Sequence, residues 1–121
     1  MINKLSTEIH ETAKSKGFYD GERNIGEVLA LIHSEVSEAL EADRKNHYTR
    51  TELSQIVQET DNEVFKSKFE ESIKNTFEDE LADILIRVMD LAGYRGVDLE
   101  EHLKAKVRYN SLREHKHGKK Y

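Results

Sequence analysis

Two pairs of carboxylates, each at a spacing of three residues, constrain the fold of this chain most. Glu35 is followed by Glu38, and Glu80 is followed by Asp83. In an α-helix, residues three apart lie on one face, roughly 5–6 Å apart at Cβ. Two such helices packed face to face would gather four carboxylates, whose charges repel unless a cation neutralises them. The spacing predicts two facing helices around a metal site, and oxygen ligands favour Mg²⁺, with Mn²⁺ as the alternative.

The composition agrees with an all-α protein. The chain has 121 residues, no proline and 36% charged residues, which fits one domain over residues 1–121 with solvated outer helix faces. The absence of cysteine excludes disulfides, zinc–thiolate sites and thiol catalysis. No apolar run reaches the length of a membrane span, and the first residues show no signal-peptide pattern. We therefore expect a cytoplasmic protein that binds neither a membrane nor nucleic acid.

The apolar residues repeat at helical spacing in four places. The predicted helices cover about residues 5–16, 25–45 and 76–95, with a fourth that begins at the Asp98 cap. The third is apolar around most of its circumference, which is typical of a buried central helix. Because a lone small bundle could not easily cover such a helix, the pattern favours a four-helix core that is completed by dimerisation, with a homotetramer as the alternative.

Residues 46–75 carry a weaker signal. Phe65, Phe69 and Ile73 fit a helix, but their spacing also fits the alternation of a strand or an irregular hairpin. We interpret the segment as an irregular insertion between the two carboxylate-bearing helices.

The two carboxylate pairs can also be explained without a metal. Arg87 follows Asp83 by four residues, so the two side chains could form a purely structural ion pair. Glu35 and Glu38, taken alone, could belong to an ordinary solvated helix face. The metal interpretation depends on both pairs occurring in one chain, and on Glu80 and Asp83 interrupting an apolar helix.

The fourth helix has a stripe that starts with leucines and becomes cationic. Lys106, Asn110 and Arg113 continue this stripe at intervals of four and three residues. Cationic and amide groups along a core-facing line suit an anion such as phosphate. The alternative is that the long side chains extend to water. A basic tail follows at about residues 114–121.

Several ordered segments of the chain resemble MazG-like nucleotide pyrophosphohydrolases, which belong to the all-α NTP pyrophosphatase superfamily. The segments that carry the resemblance are Arg23–Glu27, Leu31–Ala39, Glu78–Asp83, Lys106–Arg113 and His117–Lys120. Together they run in order across nearly the whole chain. The combination of both carboxylate motifs with the Lys-x3-Asn-x2-Arg stretch is fairly specific, whereas either carboxylate motif alone is not.

The resemblance implies Mg²⁺-dependent hydrolysis of nucleoside or deoxynucleoside triphosphates to the monophosphate and pyrophosphate, as in the cleaning of nucleotide pools. The implied metal ligands are Glu35, Glu38, Glu80 and Asp83. The residues implied to bind phosphates are Lys106, Asn110 and Arg113. Phe18 and Asn24 fall in the region that approaches the nucleoside in such proteins. The resemblance also implies a homo-oligomer.

One departure concerns the catalytic base. Many relatives open the first motif with two adjacent glutamates, and here Ser34 occupies the first of these places. A hydroxyl is a poor base, so the sequence leaves the base unassigned. Two other kinds of function remain open: a catalytically weak module that binds nucleotide and metal, and a structural oligomerisation protein with acidic surfaces.

Overall fold

The computed structural model describes residues 1–121 and contains six α-helices and no strand, which confirms the all-α class. The helices are α1 (Ile2–Ser15), α2 (Ile25–Arg44), α3 (Leu53–Val57), α4 (Asn62–Ser72), α5 (Phe77–Arg95) and α6 (Leu99–Ser111). A short 3₁₀ segment, His115–Gly118, lies in the basic tail. None of the helices is both long and apolar enough to cross a lipid bilayer.

Local signals set the ends of the main helices close to where the sequence predicts them. The Asn24 side chain caps α2 by accepting a hydrogen bond from the Glu27 amide at 3.1 Å. The Asp98 side chain caps α6 in the same way through the Glu101 amide at 3.2 Å. Gly17, just beyond α1, has a φ of +89°, a left-handed conformation that favours glycine. Side-chain caps and glycine stops act within a few residues, so they can be read without tertiary information.

The expectation of an irregular insertion is wrong for much of residues 46–75, because α3 and α4 lie there. Asp61 caps α4, since its carboxylate accepts hydrogen bonds from the amides of Glu63 and Val64 at 3.0 and 3.1 Å. Phe65 and Phe69, four residues apart, then share one helix face with their ring centroids 6.0 Å apart. The helical alternative for these residues is therefore the one that the structure adopts.

The chain divides into two compact units. The central unit comprises Arg23–Val88, and the terminal unit comprises Met1–Glu22 with Met89–Tyr121. The central unit holds α2, α3, α4 and most of α5, while the terminal unit holds α1, the end of α5 and α6.

In the terminal unit, α1 packs closely against the end of α5 at Gly93. A Cβ atom at Gly93 would lie 2.8 Å from the His10 Cβ and 3.1 Å from the Ser6 carbonyl oxygen. Gly93 lies inside α5, which ends at Arg95 before Gly96. Glycine at this position allows the two helix backbones to approach.

Asp90 links α1 and the following turn to α5 within the same unit. Its carboxylate oxygens lie 2.9 Å from His10 Nδ1 and accept a hydrogen bond from the Tyr19 hydroxyl at 2.7 Å. The Tyr19 ring also packs against Tyr94, with centroids 4.7 Å apart. Tyr19 is half-buried by these contacts, whereas its neighbour Phe18 is exposed.

The core of the central unit is small and is built from side chains of several elements. Its buried apolar residues are Val28, Ala39, Ala42, Ile56 and Ile73. Thr76 is also fully buried, and its hydroxyl accepts a hydrogen bond from the Asp79 amide at 3.2 Å. This contact satisfies one free amide at the start of α5.

α5 is not enclosed by this chain. Leu81, Leu85 and Ile86 are each 44% to 56% exposed, although the sequence predicts a buried central helix. On α2, Leu29, Val36 and Leu40 are similarly exposed. Apolar periodicity thus identified the helix correctly but could not tell which of its faces another part of the same chain would cover.

Candidate metal centre

Both carboxylate pairs lie in the central unit, one on α2 and one on α5. Glu35 and Glu80 are buried, Asp83 is half-buried and Glu38 is exposed. Carboxylate oxygens of Glu35, Glu38 and Glu80 all lie within 4.8 Å of one another. The two helices therefore bring three of the four predicted ligands to one small volume, whereas Asp83 is grouped with Glu80 but not with Glu35 and Glu38.

A second group of carboxylates overlaps with the first. Oxygens of Asp79, Glu80 and Asp83 also lie within 4.8 Å of one another, so Glu80 belongs to both groups. The sequence interpretation did not include Asp79, although its place beside Glu80 was a signal. Asp79 also has a structural task, because its Oδ2 accepts a hydrogen bond from the Asn75 amide at 2.9 Å.

Arg87 pairs with Glu35 across the two helices. Its Nε donates a hydrogen bond to Glu35 Oε1 at 2.8 Å. The alternative of a structural pair between Arg87 and Asp83 is therefore wrong, because the guanidinium reaches α2 instead. Burial alone would raise the pKa of Glu35, but the hydrogen bonds with Arg87 and Glu38, together with the Arg87 charge, outweigh burial and hold that pKa below its usual value. Glu35 is thus kept ionised and fixed in place.

Glu80 is the least satisfied group of the cluster. Only 5% of the residue is exposed, and its Oε2 is buried without a hydrogen-bond partner in the protein. Burial, the hydrogen bond shared with Glu35 and the negative charges around it raise the Glu80 pKa to about 7. A buried carboxylate oxygen without a partner is unfavourable unless a proton or a cation binds there.

The other two carboxylates experience the same crowding. The hydrogen bond with Glu35, together with burial and the Glu35 charge, raises the pKa of Glu38. Burial and then the charges of Asp79 and Glu35 raise the pKa of Asp83. Three of the four predicted ligands therefore have raised pKa values in the metal-free chain. A bound cation would lower these pKa values again, because it would stabilise the ionised carboxylates.

No family model, curated protein or solved structure matches this chain. The case for a metal centre therefore rests on the donor set itself. All the donors are carboxylate oxygens, without cysteine or histidine, and such sets suit Mg²⁺ or Mn²⁺ better than Zn²⁺. The orphaned oxygen of Glu80 fits a cation at the point where both carboxylate groups overlap.

The residues predicted to bind phosphate lie in the terminal unit. Lys106 and Asn110 are on α6 and Arg113 follows it. The Lys106 Nζ and Arg113 Cζ atoms lie 5.0 and 5.5 Å from the centroid of the Tyr109 ring, so both cations contact this ring. The Arg113 guanidinium also donates a hydrogen bond to the His117 carbonyl at 3.0 Å. Their role in binding phosphate remains a prediction.

The two residues suggested for the nucleoside have different environments. Phe18, in the terminal unit, is 62% exposed. Asn24, in the central unit, uses its side-chain oxygen to cap α2. Capping explains Asn24 without a ligand, and the nucleoside role of both residues stays a prediction.

Proposed function

We propose that this protein is a Mg²⁺-dependent pyrophosphohydrolase that converts nucleoside or deoxynucleoside triphosphates to the monophosphate and pyrophosphate, with Mn²⁺ as a substitute ion. Its role would be the removal of unwanted nucleotides from the cellular pool. The proposal joins two lines of support: the ordered resemblance of the sequence motifs, and the carboxylate chemistry of the central unit.

The observation that carries the proposal is the buried, unpartnered Oε2 of Glu80. An acid on the surface is stabilised by water, but a residue that is only 5% exposed and lies beside four other carboxylates is costly to keep ionised. A divalent cation held by Glu35, Glu38, Glu80 and Asp83 would account for this arrangement. Such a cation supplies neutralisation of phosphate charge and acidification of a bound water.

The chain's own groups prepare this site before any ligand arrives. Arg87 orients the Glu35 carboxylate and keeps it ionised, so that its free oxygen can serve as a ligand. Ser34 cannot replace the missing glutamate, because its hydroxyl donates a hydrogen bond to the Leu31 carbonyl at 2.6 Å. The catalytic base therefore has to be another group, and it is left unassigned. Lys106, Asn110 and Arg113 are proposed to bind phosphates on the strength of the motif resemblance alone.

The point of bond cleavage is the first prediction. Hydrolysis of a mixture of the four deoxynucleoside triphosphates in ¹⁸O-labelled water with Mg²⁺ should place the label in the monophosphate and none in pyrophosphate. This pattern follows if water attacks the α-phosphorus and pyrophosphate leaves as a unit. Mass spectrometry of both products measures it.

The outcomes of this measurement separate the candidate functions. Orthophosphate and diphosphate as first products would reject a pyrophosphohydrolase. No release of pyrophosphate, with nucleotide still bound, would indicate the weak nucleotide- and metal-binding module that Ser34 favours. A structural oligomerisation protein would in addition show no thermal stabilisation by Mg²⁺, because it would not bind the cation.

A second prediction concerns the exposed apolar faces of α2 and α5, which carry Leu29, Val36 and Leu40 on α2 and Leu81 and Leu85 on α5. We propose that a second copy covers them, giving a dimer at micromolar concentration, or a tetramer if two faces are used. Leu40, half-exposed on α2, should be part of the interface. Leu40→Arg should therefore shift sedimentation velocity towards the monomer, whereas Val64→Arg, at a similarly exposed position on α4, should not. A wild-type chain that sediments only as a monomer would contradict the proposal.

A further inference from the structure

A cavity of about 540 Å³ lies between α4 and α5, entirely within the central unit. Small-molecule sites in proteins usually have volumes of roughly 300–1,000 Å³. Its walls include Phe65 and Phe69 from α4 and Ile86 from α5, with Lys66 and Asn75 beside them. None of these residues belongs to the motifs that carry the sequence resemblance.

The apolar part of the cavity suits a flat aromatic ring. The rings of Phe65 and Phe69 are half-buried, their centroids are 6.0 Å apart, and their planes are tilted by 38°. They form one wall, and Ile86 also lines the cavity. Stacking of a nucleobase on aromatic side chains tolerates different bases, because every base presents a π-face.

Charged and amide groups surround the apolar surface of the cavity. Six of the ten lining residues are charged or carry an amide: Lys66, Glu70, Lys74, Asn75, Asp79 and Asp83. The fully buried core of a protein interface is depleted in charged residues. An amide with both donor and acceptor groups, as on Asn75, can instead recognise the edge of a base, and the two lysines can contact phosphate.

The cavity is continuous with the carboxylate centre through α5. Asp79 and Asp83 line the cavity and also belong to the carboxylate group that contains Glu80. Ala82 and Ile86 lie on the same helical face as these two aspartates, whereas Glu80 is on the neighbouring face. A ligand whose charged end meets the carboxylate centre could therefore place its other end against the phenylalanines.

We propose that this cavity binds the nucleobase of the triphosphate substrate, so that α4 of the insertion, and not the turn at Phe18, determines how the nucleoside is held. The inference rests on the proposed function and adds a site to it. Phe65 and Phe69 stack on the base, Asn75 contacts its edge, and Asp83 lies at the junction with the metal centre.

The chain contains no tryptophan, so a single introduced indole can report on the cavity. In the full chain with Mg²⁺, α,β-imido deoxynucleoside triphosphates should quench the emission of Phe69→Trp in a saturable way. Tripolyphosphate, which has no base, should bind without that quenching. Phe18→Trp, as the matched variant at the competing position, should show no quenching with either compound.

Calorimetry of a second variant tests the same point without a fluorophore. Phe69→Leu keeps the volume apolar but removes the aromatic face, so its affinity for the imido nucleotides should fall about tenfold while its affinity for tripolyphosphate stays unchanged. Val64→Ala, on α4 but outside the cavity, should match the wild type. Circular dichroism verifies that each variant is folded, and Phe65→Trp replaces Phe69→Trp if the latter does not fold.

Each remaining outcome overturns the inference in a distinguishable way. If nucleotide quenches the emission of Phe18→Trp and not that of Phe69→Trp, the base binds at the turn near Phe18 and not in the cavity. Emission that changes with protein concentration but not with nucleotide would show that a second copy fills the cavity. If the wild type hydrolyses triphosphates while Phe69→Leu binds them normally, the cavity assignment alone fails. If the wild type binds neither nucleotide nor tripolyphosphate, the proposed function fails with it.

Discussion

Glu80→Gln should reduce triphosphate hydrolysis by more than about a hundredfold while leaving the fold intact. Glu80 belongs to both carboxylate groups, so its loss weakens every arrangement in which the cluster could hold a cation. The variant should also lose the thermal stabilisation that Mg²⁺ gives to the wild type, because binding to the folded state alone is what raises the melting temperature.

The same substitution should stabilise the metal-free protein. A neutral amide removes one charge from a buried group of acids and can make the hydrogen bonds that the Glu80 Oε2 atom lacks. We expect the melting temperature in EDTA to rise by roughly 3–8 °C, which corresponds to about 1 kcal/mol or slightly more. Differential scanning calorimetry with EDTA and with Mg²⁺ measures both effects.

A matched carboxylate outside the cluster provides the control. Glu41→Gln, on α2, removes only an exposed ion pair with Lys45 at 3.3 Å, so it should keep activity and the response to Mg²⁺. Wild-type turnover by Glu80→Gln at saturating Mg²⁺ would show that the metal assignment is wrong.

The metal-free protein should become less stable as the pH rises from about 4.5 to about 7. In the folded chain Glu80 keeps its proton until about pH 7, whereas in the unfolded chain it loses it near 4.5. Between these values the folded state binds more protons, so raising the pH favours unfolding. The raised pKa values of Glu38 and Asp83 act in the same direction, and the lowered pKa of Glu35 opposes them.

The expected decrease in the free energy of unfolding is of order 2 kcal/mol. This is less than the full pKa shift of Glu80 would give by itself. Urea unfolding in EDTA at pH 5 and pH 7.5 measures it, and Glu80→Gln should show a clearly smaller difference between the two. With saturating Mg²⁺ the trend should reverse, because the ion competes with protons for the same oxygens. Identical pH profiles for the wild type and Glu80→Gln in EDTA would mean that Glu80 does not carry the shifted proton.

The all-α class and the main helices could be predicted from the sequence, because their determinants are local. Apolar periodicity indicated α2 and α5 to within one residue at each end, and the Asp98 cap marked the start of α6. The spacing within each carboxylate pair similarly predicted which side chains share a helix face, since three residues span nearly one turn wherever the helix lies.

Contacts between elements were decided only by the tertiary structure. The sequence suggested Asp83 as a structural partner of Arg87, but the packing of α2 against α5 selects Glu35. The close approach of α1 makes Gly93 a packing position within α5. The cavity beside Phe65 and Phe69 likewise required the placement of α4 against α5. Helix formation depends on neighbours three and four residues away, whereas burial, ion pairing and cavities depend on residues that only folding brings together.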